Sequence, residues 1–125
     1  MDQGLSALIS ELKTLGIMDK TLIAISTDFG RTPIYGEKVA NDTMGRDHYP
    51  VAFSQVLIGC GIKGGSIFGK TDEHGKSVID EQSTVQDFNA TIAAALGMGE
   101  AKVFSPEGRP FTAFDKGKPI EKILA

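Results

Sequence analysis

The sequence is short of several things, and each shortage removes a class of function. It holds a single cysteine, so no internal disulfide can form. Cys60 has no base close to it in sequence and reads as a small buried thiol at a strand end rather than a nucleophile. No apolar run approaches the roughly 20 residues of a membrane span, and the N-terminus lacks a basic segment followed by an apolar one. A membrane partner is therefore not expected, and no targeting segment is visible. Basic residues are not clustered either. With a net charge of −3 and a pI near 5.3, the chain has no electrostatic footprint for nucleic acid. Internal repeats and low-complexity runs are absent.

What is present is ordinary globular material: 125 residues, 41% hydrophobic and 23% charged, sized for one domain. Leu5, Leu8, Ile9, Leu12 and Leu15 keep the three-four spacing of one helical face, with Asp2 as a cap and Gly16 placed to end the helix. The uniformly apolar stretch Leu22–Ile25 predicts a strand inside a sheet covered on both faces. Helix followed by buried strand indicates α/β architecture. From Phe29 to Pro50 no period holds, and Gly30, Pro33, Gly36, Asn41, Gly45 and Pro50 punctuate the stretch. A connection of that length is uncommon in a small domain unless it is functional or disordered, and it is read here as functional. A second strand is expected over Val51–Ile58. A short hairpin follows, with arms at Ser66–Gly69 and Ser77–Ile79. The next helix has Ser83 and Gln86 as a capping box, Val85, Phe88, Ile92 and Leu96 as its apolar face, and Gly97 as its stop. In the Gly-, Pro- and Lys-rich tail, Phe111 and Phe114 are the expected anchors, with a last short helix over Ile120–Leu124.

Four features could carry chemistry. The stretch from Gly64 to Thr71 satisfies the phosphate-loop pattern G-x-x-x-x-G-K-T, but such a loop works only when its Lys-Thr pair opens a helix. Here Thr71 is followed by DEHGKSVID, with no apolar stripe, so a glycine-bounded hairpin arm is the better reading. Asp28 lies at the end of the apolar strand, where α/β folds bind ligands, and its carboxylate is a hard oxygen donor for a divalent metal; an Asp shaping the turn before Gly30 is the plain alternative. His48 is a nitrogen donor of the kind zinc-like metals take, and the adjacent Asp47 or Arg46 could orient it or neutralise an anionic substrate. A packing histidine is the alternative there. His74 falls in the hairpin turn and is given no chemistry.

Taken in order, STDFGRTP, GRDHYP, AFSQVLIGCGIKGG, GKTDEHG, TVQDFNATIAAALGM and SPEGRPF resemble the C-terminal part of an uncharacterised bacterial family. Its members carry a twin-arginine export signal and belong to the alkaline phosphatase and sulfatase superfamily. The likeness runs from Leu5 to Leu124. It implies part of an alkaline phosphatase-like sandwich: a mostly buried sheet covered by helices, plus a small β-hairpin. It also implies an exported or periplasmic location and, in active relatives, a two-metal site that hydrolyses phosphate or sulfate esters. The resemblance makes Asp28 and His48 metal ligands, with zinc, manganese, calcium or magnesium as the metal, and makes Arg31, Arg46 and Asp47 helpers toward substrate or ligand. Active relatives have Asp-His-Gly where this chain has Asp28-Phe29-Gly30, so one ligand is missing. The nucleophile of those enzymes lies in an earlier region that these residues do not include, and a two-metal clamp needs more donors than they offer. The expectation is thus a chain inactive by itself, the C-terminal part of a larger domain, with homodimerisation through surface that truncation would expose. A domain that keeps the fold without the chemistry and serves as a binding or scaffold module is the competing expectation.

Overall fold

The leucine-rich N-terminal segment folds as a helix, as expected, but Asp2 is a residue of its first turn rather than its cap. In the computed structural model, which describes residues 2–34, 45–99, 102–104, 106–108, 110–112, 114 and 116–125, helix α1 spans Asp2–Thr14. Gly16 closes it at φ +68°: its amide donates to the Lys13 carbonyl and that of Ile17 to the Leu12 carbonyl, the paired bonds that satisfy orphan carbonyls at a helix C-terminus. No residue of α1 is fully buried. A single 3-10 turn, Met18–Lys20, leads into strand β1, Leu22–Ile25.

The remaining elements are β2 (Gly30–Arg31), β3 (His48–Tyr49), β4 (Val56–Gly59), β5 (Lys70–Thr71), β6 (Val78–Asp80), helix α2 (Val85–Ala95), β7 (Lys102–Phe104), β8 (Pro110–Thr112) and a closing 3-10 turn, Glu121–Ile123. The chain is mixed α and β. The strands pair only two by two, as β1 with β4, β2 with β3, β5 with β6 and β7 with β8. This corrects the expectation of a mostly buried sheet. A two-stranded ribbon has no interior strand, and in β1 Leu22, Ile23 and Ile25 are half-buried while Ala24 is exposed. The second strand is also shorter than Val51–Ile58: it starts at Val56, and Val51 is 54% exposed.

The chain divides into two compact units. The first consists of Met1–Ile23, Leu57–Ile67 and Thr84–Ala125, and α2 is its centre. Ala90, Thr91 and Ala93 are buried there, the only fully buried side chains among the described residues. The helix is capped by Thr84 and Asp87, one residue later than the Ser83 and Gln86 of the sequence reading. Thr84 Oγ1 accepts the Asp87 amide at 3.2 Å and Asp87 Oδ2 accepts the Thr84 amide at 2.8 Å. Gly97, at φ +72°, ends α2 as expected. The tail is held along the helix by main-chain donors. Asp87 Oδ1 accepts the Lys118 amide at 2.8 Å, and the buried Thr91 hydroxyl accepts the Ile120 amide at 2.9 Å. Further along, Ile62 bridges Leu124, and the Ala125 amide donates to Gly61. Phe114 is half-buried; the Phe111 side chain, like Gly36 and Asn41, lies outside the described residues. Cys60 is half-buried, a free thiol with Sγ 3.5 Å from the Ala95 carbonyl.

The second unit, Ala24–Val56 with Phe68–Ser83, is built of two antiparallel ribbons, β2–β3 and β5–β6. Between β5 and β6 the carboxylate of Asp72 gathers the turn. Oδ1 accepts the amides of His74 (3.0 Å) and Lys76 (2.8 Å), and Oδ2 that of Ser77 (3.0 Å). These bonds, Lys76 first, hold the carboxyl below its ordinary value of 3.8 against a smaller upward push from burial. The turn thus uses a short acidic side chain to satisfy three main-chain donors that a loop would otherwise leave to water. The hairpin exists as expected, but its arms are Lys70–Thr71 and Val78–Asp80, displaced from the predicted ones.

Candidate functional site

All five candidate site residues fall in the second unit. Asp28 lies three residues past the end of β1, in a turn: Oδ1 accepts the amide of Phe29 at 2.9 Å, the local bond of an Asp that shapes a turn. The chain then enters β2. The pairing with β3 sets Gly30 opposite Tyr49 and Arg31 opposite His48. Gly30 is required by close approach, since a Cβ there would lie 2.1 Å from the Ala52 carbonyl oxygen and 2.9 Å from that of Tyr49.

Two further bonds extend the ribbon beyond its formal end. The Thr32 amide donates to the Asp47 carbonyl at 2.9 Å, and the Asp47 amide donates to Thr32 Oγ1 at 3.0 Å. Asp47 Oδ1 in turn accepts the His48 amide at 2.7 Å. The backbone on both sides of His48 is therefore tied, and its ring stacks on Phe29 with centroids 5.1 Å apart and planes 29° from parallel. In an antiparallel ribbon, opposite residues share a face, as do residues two apart. Phe29, Arg31 and His48 accordingly occupy one face and Tyr49 the other. From that other side the Tyr49 hydroxyl donates to the Lys76 carbonyl at 2.7 Å, joining this ribbon to the β5–β6 hairpin.

The structure thus brings Phe29, Arg31, Asp47 and His48 together, with Asp28 one residue before Phe29. Asp28, Arg31, Arg46, Asp47 and His48 are all exposed, so their charges are open to solvent and to any ligand that arrives. Among the described residues no group of three or more His, Cys, Asp or Glu is arranged to hold a metal ion. The donors present do not amount to a complete metal centre, which takes three or four protein ligands for zinc. The phosphate-loop alternative also finds no support here: Lys70 and Thr71 form β5 and pair with β6 instead of opening a helix. His74 pairs with Glu73, Nε2 to Oε1 at 3.2 Å. The two line a surface cleft of about 430 Å³ with Pro33, Ile34 and Lys76.

The sequence reading passed over Phe29 as a participant, seeing in it only a residue that cannot bind metal. Its contact depends on the β2–β3 register, which no local period announces. Tyr49 and Asp72 were also missed. Asp72 had a readable signal, an Asx residue at the head of a polar turn ending in glycine.

A model of a family of proteins of unknown function, DUF1501, matches residues 1–124. The chain belongs to the DUF1501 family. No curated protein and no solved structure matches it. For this DUF1501 chain, then, function has to be argued from the ribbon and the residues around it.

Proposed function

We propose that this chain is a segment of a protein of the alkaline phosphatase and sulfatase superfamily whose substrates are phosphate or sulfate esters. In this reading Asp28 and His48 are the metal donors that the segment brings to a larger site, and Arg31, Arg46 and Asp47 assist with the anionic ester or orient the donors. The 125 residues carry no hydrolytic activity by themselves, because a nucleophile and further ligands have to come from elsewhere. Zinc, manganese, calcium or magnesium is the metal class such donors accept. An exported or periplasmic location and a sandwich architecture of the complete domain belong to the same reading.

The observation that supports it most is the β2–β3 pairing, which brings His48 back onto Phe29, the residue after Asp28. His48 stacks on the residue that follows Asp28, so two donors 20 positions apart in sequence are separated by a single residue at that contact. Two donors do not make a centre, so no catalytic step is built on a metal here. The test is calorimetric titration of the complete gene product with zinc and with manganese, beside the Asp28→Ala/His48→Ala double variant. Binding weakened at least tenfold in the variant is the expected result; equal binding in both would remove the donor assignment.

A second reading has its own observation. Phe29 stands where active relatives have a ligand, and its ring is engaged with His48, as in a domain that has kept the architecture for binding or scaffolding and dropped the chemistry. Metal-dependent turnover of generic phosphate or sulfate esters by the complete gene product decides against it.

A further inference from the structure

Phe29 has a use that its inability to bind metal conceals. It lies at the turn after β1 and is 40% exposed, so its ring is only partly in use as core. Its ring is the partner of the His48 imidazole, at 5.1 Å and 29°. An imidazole on a two-residue exposed strand would otherwise sample several χ1 and χ2 wells. Here the main chain is tied on both sides of it, by the Arg31 pairing and by Asp47 Oδ1, which leaves the side-chain torsions as the remaining freedom. We infer that Phe29 is a positioning residue for His48: the phenyl ring is a platform that fixes the plane of the imidazole.

The chemistry of the two rings makes this arrangement productive. The lone pair and N–H directions of imidazole lie in the ring plane, so a partner on the π face restrains the ring without covering either nitrogen. A hydrogen bond to one nitrogen, the commoner way to orient a histidine, would consume a donor or acceptor position. Stacking spends neither. Offset aromatic pairs with centroids about 4.5–7 Å apart are also favourable, enough to bias a rotamer equilibrium several-fold. Arg31, directly across the ribbon from His48, would then meet an imidazole held at a set angle. The consequence for a bound metal or anionic ester rests on the donor role proposed above; the orienting contact itself does not.

The experiment uses the 125-residue chain carrying His74→Gln, so that His48 is its sole histidine. NMR of the imidazole Hδ2 and Hε1 signals reads the ring current of Phe29, and ¹³Cε1 relaxation reads the order of the ring. Replacing Phe29 by Leu moves both proton signals toward their free-histidine positions and lowers the order parameter. Phe29→Tyr keeps both, because the platform is retained. Main-chain amide signals of β5 and β6 report on folding in each variant. Cross-relaxation between Phe29 and His48 ring protons in the parent chain keeps the test decisive should Phe29→Leu fail to fold. Absence of that cross-relaxation, or unchanged shifts and order in a folded Phe29→Leu chain, overturns the inference, whatever the Asp28→Ala/His48→Ala titration returns.

Discussion

Asp87 shows how much one short side chain can organise. Its Oδ2 closes the cap of α2 with Thr84, and its Oδ1 takes the Lys118 amide. The bond to Lys118, then those to Thr84, lower its carboxyl below the ordinary 3.8. Because the folded-state value is depressed, the stabilisation is fully present above the unfolded value and is lost as pH falls through the folded one. Replacing Asp87 by Asn keeps the shape and removes the charge. The unfolding free energies of the parent chain and Asp87→Asn are therefore expected to differ most above about pH 5 and to converge below the ordinary carboxylate value. Urea unfolding at a series of pH values measures this, and a constant gap across the range would contradict it. Asp72 shifts in the same direction but lies in an exposed turn, where solvent screening makes its share small.

At the scale of elements, the helices were the legible part and the ribbons the illegible one. Helix ends are written locally: Gly16 and Gly97 stand two residues past the last helical residue and take the positive φ that glycine accepts. The start of α2 was misread by one residue because Ser83 and Gln86 also satisfy the capping pattern, and the pattern alone cannot rank two overlapping matches. Geometry ranks them, giving the cap to Thr84. Thr84→Ala is expected to cost about 1 kcal/mol of stability, whereas Ser83→Ala should fall within about 0.5 kcal/mol of the parent. Thermal or chemical denaturation of the two variants distinguishes the pair, and equal losses would return the cap to Ser83. In contrast, the β2–β3 ribbon has two residues in each strand, too few for an alternation to show. Its register follows from Gly30 meeting the Ala52 carbonyl and from Thr32 bonding Asp47, contacts between residues far apart in sequence. Hence Asp28 and His48 could be picked out as candidates from the sequence, while the stacking of Phe29 on His48 could not be read there.

For the whole molecule the telling fact is how little is fully buried. Among the described residues, the completely enclosed side chains are two alanines and a threonine, whereas Leu8 at 44%, Leu15 at 62% and Ile17 at 40% remain exposed along and just past α1. Leu8 and Leu15 are seven residues apart and so share one helical stripe. Apolar surface left uncovered in this way promotes association. Concentration-dependent self-association, dimer first, is expected in sedimentation or light scattering, and Leu8→Lys/Leu15→Lys should shift the equilibrium toward monomer. A parent chain that sediments as a monomer at every concentration would refute this. The sequence displays the stripe plainly, but periodicity identifies an apolar side and says nothing of what lies against it.

The latch in the β5–β6 turn has a consequence of another kind. Residues 72–77 look from their composition like the readiest point of attack on the molecule: polar, glycine-containing and at the surface. Yet the amides of His74, Lys76 and Ser77 all end on one carboxylate, and Tyr49 grips the Lys76 carbonyl from the neighbouring ribbon. A protease must draw several residues into an extended form before it can cut, and here that means pulling every one of these bonds open together. The segment most inviting on paper should be among the last places the folded chain is nicked.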